Sequence, residues 1–202
     1  MVFVQVIKGR VADAAALKAA FDQWRRDLAP GADGWLGSTA GVTADGRFVA
    51  VARFESAAAA GRNSARPEQD AWWAGTAKLL DGEASFTDSE DVDLTLEGDP
   101  GSAGFVQVFS GRSSDPARAR ALMGEDSPGW RELRPDILAM LSVAHGDGYT
   151  AAVWFTSEAA AREGEAKEPP PELAAQMREL NALNVGEPEF WDLTDPWMAA
   201  PD

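Results

Sequence analysis

The densest concentration of chemically capable side chains is the stretch Arg62 to Trp73, Arg-Asn-Ser-Ala-Arg-Pro-Glu-Gln-Asp-Ala-Trp-Trp. It sets an amide (Asn63), a guanidinium (Arg66) and two adjacent indoles (Trp72, Trp73) within twelve residues. An amide and a guanidinium can orient a carbonyl or phenolate oxygen on which negative charge develops, and indole faces bind flat rings. Those types suit binding a flat aromatic compound and stabilising charge on its oxygen, with Asn63 and Trp72 at the reacting atoms and Arg66 and Trp73 holding the ligand. The structural alternative is that Asn63 and Ser64 end or cap helices while the indoles fill a core. Arg53, mid-strand in FVAVARFES, is the candidate counter-charge; otherwise a covered arginine needs an acidic or carbonyl partner. Gln5 sits between large apolar neighbours, where it either lines a pocket or satisfies a buried backbone group.

Other chemistries have little footing. His145 is the only histidine and sits in the turn before Gly146-Asp147-Gly148, so no Ser/His/Asp set can be argued around it. Cysteine is absent, the acidic runs Asp88 to Asp93 and Glu163 to Glu168 read as solvated charge, and no Gly-rich phosphate loop occurs. The expectation is a protein without metal, haem or other cofactor. The formal charge of -15 is spread over both halves: ten Lys/Arg face sixteen Asp/Glu in residues 1–100, and eight face seventeen in 101–202. Such a surface repels phosphate backbones and anionic lipid heads, so neither nucleic acid nor membrane is an expected partner. With no run of 18 apolar residues, no signal-like start and no cysteine, the expected location is the cytoplasm.

The elements that must position these residues are written twice. Phe105 to Arg112 (FVQVFSGR) repeats Phe3 to Arg10 (FVQVIKGR) 102 positions later, and Tyr149 to Ser157 echoes Phe48 to Ser56. Later, Gly82-Glu83-x-x-Phe86-x-Asp88 recurs as Gly186-Glu187-x-x-Phe190-x-Asp192. A period near 100 residues is too long for a solenoid and indicates two duplicated domains. The expected boundaries are 1–97 for the first repeat, 98–104 for a Gly/Pro-rich linker, and 105–202 for the second repeat with a C-terminal extension.

Within each repeat, a β-branched strand leads to an amphipathic helix; Asp13 caps the first, whose Leu17, Phe21, Trp24 and Leu28 form one stripe. Trp35 to Val42 and Arg47 to Phe54 form a hairpin on Asp45-Gly46. Further helices start at Ser56 and Pro67, and strand material follows at Ala84 to Phe86 and Val92 to Leu96. The helix opened by Asp115-Pro116 is interrupted by Gly124, Pro128 and Gly129. The tail around Trp197 has no clear counterpart in the first repeat and is expected to pack back onto the body.

The order β-α-β-β-α-β is the ferredoxin-like plait. With its FVQV opening, the chain resembles the dimeric α+β barrel superfamily, in particular antibiotic biosynthesis monooxygenase-like domains, here in tandem. The Arg62 to Trp73 stretch is also similar to one in a group of two-copy actinobacterial-type proteins. The resemblance implies an α+β fold of two tandem ferredoxin-like repeats packed sheet to sheet, a single-chain pseudodimeric barrel that is monomeric with internal pseudo-twofold symmetry. It further implies a cofactor-free oxygenase acting on a small aromatic or polyketide-like compound. The alternative is a non-enzymatic pseudodimer that binds a small ligand or a protein.

The repeats differ where the chemistry concentrates: Glu163-Gly164-Glu165-Ala166-Lys167 replaces Arg62 to Arg66, and Gln176-Met177 replaces Trp72-Trp73. Shared residues are expected to serve the fold, and unshared ones are free to serve a site in the first repeat.

Overall fold

The computed structural model describes residues 2–124 and 130–201, so Pro128 and Gly129 lie outside the described residues. The first half of the chain runs β1 (Phe3–Arg10), α1 (Ala14–Asp27), β2 (Trp35–Val42), β3 (Arg47–Phe54), α2 (Ala57–Ser64), α3 (Pro67–Thr76), β4 (Ser85–Ser89) and β5 (Val92–Leu96). The second half runs β6 (Phe105–Arg112), α4 (Pro116–Gly124), α5 (Trp130–Leu133), β7 (Ile137–His145), β8 (Gly148–Phe155), α6 (Glu158–Glu165), α7 (Pro171–Ala182), β9 (Glu189–Leu193) and β10 (Trp197–Ala199). Two five-stranded antiparallel sheets result, ordered β10-β2-β3-β1-β4 and β5-β7-β8-β6-β9. Two tandem ferredoxin-like α+β repeats are therefore present, and both β2–β3 and β7–β8 carry a register shift at the same place.

Local chemistry explains the element ends. Asp13 accepts the Ala16 N–H at 2.9 Å and caps α1. Ser56 and Ser157 cap α2 and α6 by accepting from Ala59 and Ala160. Gly46 takes φ +80 in the first hairpin turn, a conformation that side-chain-bearing residues resist.

The compact units do not follow the repeat boundaries: one is 1–92 with 195–202, the other 93–194. The fifth strand after each repeat joins the other repeat's sheet. β5, read from sequence as closing the first repeat, lies beside β7, and the Glu97 and Gly98 N–H groups extend it by donating to the Leu138 carbonyl. β10 lies beside β2 in the corresponding position, so the tail does have a counterpart, and it is β5. Trp197 packs on Phe21 with ring centroids 5.8 Å apart. A five-residue strand carries periodicity but no record of which free edge it will meet, and only tertiary structure decides that.

In the first unit, the helix side of the sheet buries Phe3, Trp24, Leu28, Trp35, Phe54 and Ala59 in one cluster and Ile7, Val11, Leu17, Phe48 and Ala50 in another. Val4, Val6, Val49 and Val51, on the opposite face, are also buried. In the second unit Phe105, Ile137, Val153, Phe155 and Ala161 cluster on the helix side, and Val106, Val108, Leu141 and Val143 are buried on the other. Burial on both faces explains why β1, β3, β6 and β8 read as continuous apolar runs.

Candidate functional site

The helix-side layer of the first repeat brings most of the expected site residues together. Trp72 meets Phe21 edge-on at 5.6 Å, Trp24 at 6.2 Å and Trp73 at 6.0 Å, and Trp73 meets Phe86 at 5.2 Å. The polar handles of these rings are committed: Trp72 Nε1 donates to the Ala20 carbonyl at 2.9 Å, and Trp24 Nε1 to Gln69 Oε1 at 2.6 Å. Buried Asn63 accepts through Oδ1 from Arg66 Nη1 at 3.0 Å. Arg66 also donates to the Leu28 carbonyl at 3.0 Å and to Glu68 at 2.9 Å. Asn63 and Arg66 thus clamp the end of α1 to the α2–α3 joint.

The second repeat solves the same problems with different residues. Gln176 stands in the place of Trp72, and its Nε2 donates to the Leu122 carbonyl, the equivalent of Ala20. Lys167 stands in the place of Arg66 and donates to the Leu133 carbonyl at 3.3 Å. Gly164 replaces Asn63, and the space beside it is filled by Arg134, paired with buried Asp136 at 2.7 Å. The residues that differ between repeats at this joint therefore perform matching structural tasks.

Gln5 and Gln107 do likewise. Gln5 Nε2 donates to Asp88 Oδ1 at 2.9 Å and Gln107 Nε2 to Asp192 Oδ1 at 2.8 Å, each directly across the strand pair. The Asp of the recurring Gly-Glu-x-x-Phe-x-Asp segment is the glutamine's partner. Asp192 also receives Arg162, which lies over the Phe105 ring at 5.1 Å. Those bonds raise the Arg162 pKa, the one from Asp192 most strongly.

The structure does not bring Arg53 to the Asn63–Trp72 group. Strand alternation puts it on the face of β3 opposite Phe54, which packs in the helix-side cluster. It cannot serve as the counter-charge of a site between helices and sheet.

Sequence reasoning missed the helix-side layer of the second repeat. Phe109 and Phe190 lie 5.7 Å apart at 30°, and Tyr149 meets Phe109 edge-on at 6.3 Å. The Tyr149 hydroxyl donates to Asn184 Oδ1 at 2.8 Å, and burial raises its pKa, so it stays protonated at neutral pH. Ala119, Met123, Gln176 and Met177 occupy the positions of Leu17, Phe21, Trp72 and Trp73. Met123 and Met177 are 51% and 42% exposed, so apolar surface stands open where the first repeat has Phe21 and Trp73, while Phe190 at 46% is as exposed as its counterpart Phe86 at 48%. The signal was legible as what the second repeat lacks.

No family model matches the sequence, and no curated protein matches it. Solved structures do. A candidate monooxygenase from Lactobacillus acidophilus superposes with TM-score 0.75 at 13% identity, over 98% of this chain and 96% of that one. An anthrone oxidase-like protein gives 0.67 at 14%, over 98% and 93%. A candidate monooxygenase from Fusobacterium nucleatum gives 0.67 at 9%, over 95% and 91%. The chain has the fold of these proteins, two tandem ferredoxin-like repeats within one chain. At these identities the likeness is one of fold. A major regulator of staphylococcal pathogenesis shares it too, with TM-score 0.53 at 8% over 94% of this chain and 96% of that one. The monooxygenase-like fold thus hosts more than one activity. No helix among the described residues is long and apolar enough to cross a membrane.

Proposed function

We propose that this chain is a monooxygenase-like protein that takes up a small, flat aromatic compound in the helix-side layer of its second repeat and oxidises it with molecular oxygen without a bound cofactor. The observation that supports this is the contrast between the two layers. In the first, Trp24 and Trp72 donate inward and their rings pack on one another; in the second, Phe109 meets Tyr149 and Phe190, and Met123 and Met177, at the positions of Phe21 and Trp73, are exposed. Ring-on-ring contact favours a flat ligand. The Tyr149 oxygen has lone pairs left for a ligand hydroxyl, and the Asn184 amide has N–H groups left for a carbonyl. The fold neighbours named as monooxygenases and anthrone oxidase-like support the oxygen chemistry. A second reading, ligand binding without turnover, is favoured by the presence of this fold in a regulator.

The test is incubation with an aromatic compound library under oxygen, with mass-spectrometric product detection and calorimetric binding. Phe190→Ala removes a ring contact of about 1 kcal/mol and is expected to weaken binding about fivefold or more. Tyr149→Phe is expected to weaken hydroxylated ligands selectively, while Asn63→Ala and Trp72→Phe lower melting temperature and leave affinity in place. The reverse pattern would move the site to the first repeat, and binding without product would leave the second reading.

A further inference from the structure

Partly buried arginines in this chain carry carboxylate partners. Arg47 has Asp45, Arg66 has Glu68, Arg118 has Glu179, Arg134 has Asp136 and Arg162 has Asp192. Among the described residues Arg53 is the exception, although burial is sufficient to lower its pKa. Its Nη2 donates to the Leu36 carbonyl at 3.3 Å, a long bond. A guanidinium has five N–H donors, so most of this one's capacity is unused. None of its nitrogens is both sealed from solvent and unbonded.

The second repeat serves as an internal control. Trp154 holds the equivalent place on β8 and is 3% exposed, so the fold accepts an apolar side chain there. An uncompensated charge where a well-packed apolar group fits is a cost to stability. Structural need accounts for part of it: the Leu138 carbonyl, equivalent to that of Leu36, takes the N–H groups of Glu97 and Gly98. In the first sheet the corresponding tail runs into Pro201, which has no N–H, and Arg53 supplies a donor instead. One donor suffices for that task, and the remaining donors have none.

The backbone against which the guanidinium lies is also specific to the first repeat. Gly37, at the register shift of β2 with φ +128, stands where the second repeat has Ala139. A Cβ on Gly37 would lie 3.0 Å from Arg53 Nη2 and 3.0 Å from the Ala199 carbonyl, tighter than ordinary contact.

We propose that Arg53, beside the glycine of the Leu36–Gly37 bulge, is the seat of a small monocarboxylate. The planar fork matches a carboxylate with two parallel hydrogen bonds, a geometry lysine cannot reproduce. Partial removal from water strengthens the attraction. The net charge of -15 disfavours dianions such as phosphate far more than a single negative charge. The site is distinct from the helix-side layers, because Arg53 stands on the other face of its sheet.

The test is isothermal titration of the whole protein with sodium propionate, a monocarboxylate with no ring for the helix-side layers, at fixed ionic strength, with sodium chloride and inorganic phosphate as comparison anions. Wild type is expected to bind propionate with one-to-one stoichiometry and more tightly than either comparison anion. Arg53→Met and Arg53→Lys are expected to weaken propionate at least tenfold. Arg53→Trp copies the second repeat and is expected to fold with a melting temperature at or above wild type and to bind no propionate, so the test survives a failure of Arg53→Met to fold. Equal propionate affinity in wild type and Arg53→Trp would overturn the proposal, as would phosphate or chloride binding that matches propionate.

Discussion

Replacing Trp72 separates the packed-layer account of the first repeat from a catalytic one. Trp72→Phe deletes the indole N–H that reaches the Ala20 carbonyl at 2.9 Å, a loss of about 1 kcal/mol for a half-buried hydrogen bond. The smaller ring gives up part of the contact with Phe21, Trp24 and Trp73, about 1 kcal/mol more. A total of about 2 kcal/mol in a chain of this size corresponds to a melting temperature lower by about 4–8 °C. Trp72→Gln copies Gln176, keeps a donor for the same carbonyl and removes all three ring contacts, each worth about 0.5–1.5 kcal/mol beyond area. It is expected to cost more than Trp72→Phe. Thermal unfolding by circular dichroism, with hydrogen exchange over α1 and α3, reads both variants. A Trp72→Gln protein as stable as wild type would refute the reasoning, because ring packing would then contribute nothing. So would a Trp72→Phe protein that melts within 1 °C of wild type yet loses ligand, because the indole N–H would then face substrate.

Ending the chain at Thr194 removes β10 and uncovers the β2 edge, so amide protection should fall at residues 38–40 while β7 and β8 keep theirs; equal loss in both sheets would contradict the strand assignment. Asp147 is held below its ordinary pKa chiefly by the hydrogen bond from Arg112. A depressed carboxylate favours the fold above its ordinary pKa, and that contribution is lost as pH falls through the lowered folded value. Arg112→Gln should therefore move the Asp147 midpoint up toward the ordinary aspartate value in a carboxyl NMR titration; an unmoved midpoint would show that Arg112 is not the cause.

The duplication, the strands and the caps were legible because they rest on local signals. Strand alternation, Asp45-Gly46, Asp13 and Ser56 each set backbone geometry within a few residues of themselves. Recurrence marked Gln5 and Gln107 as matched, yet their partners Asp88 and Asp192 lie 83 and 85 residues away, and only the β1–β4 and β6–β9 registers bring them opposite. The same distance hid the partners of the candidate site. Whether the Trp72 N–H is free depends on Ala20, 52 residues earlier, and whether Arg66 is free depends on Leu28, 38 residues earlier. Arg53 could be assigned to the face away from Phe54 by alternation alone, but the helices that define a site on one face are placed by packing. The sheet each fifth strand joins was likewise undecided in the sequence, because Val92–Leu96 and Trp197–Ala199 offer backbone donors and acceptors to any open edge. Residue types and spacing determine which elements form and what they could bind; tertiary packing decides which side chains are already bound to one another and which donors, such as those of Arg53, stay open.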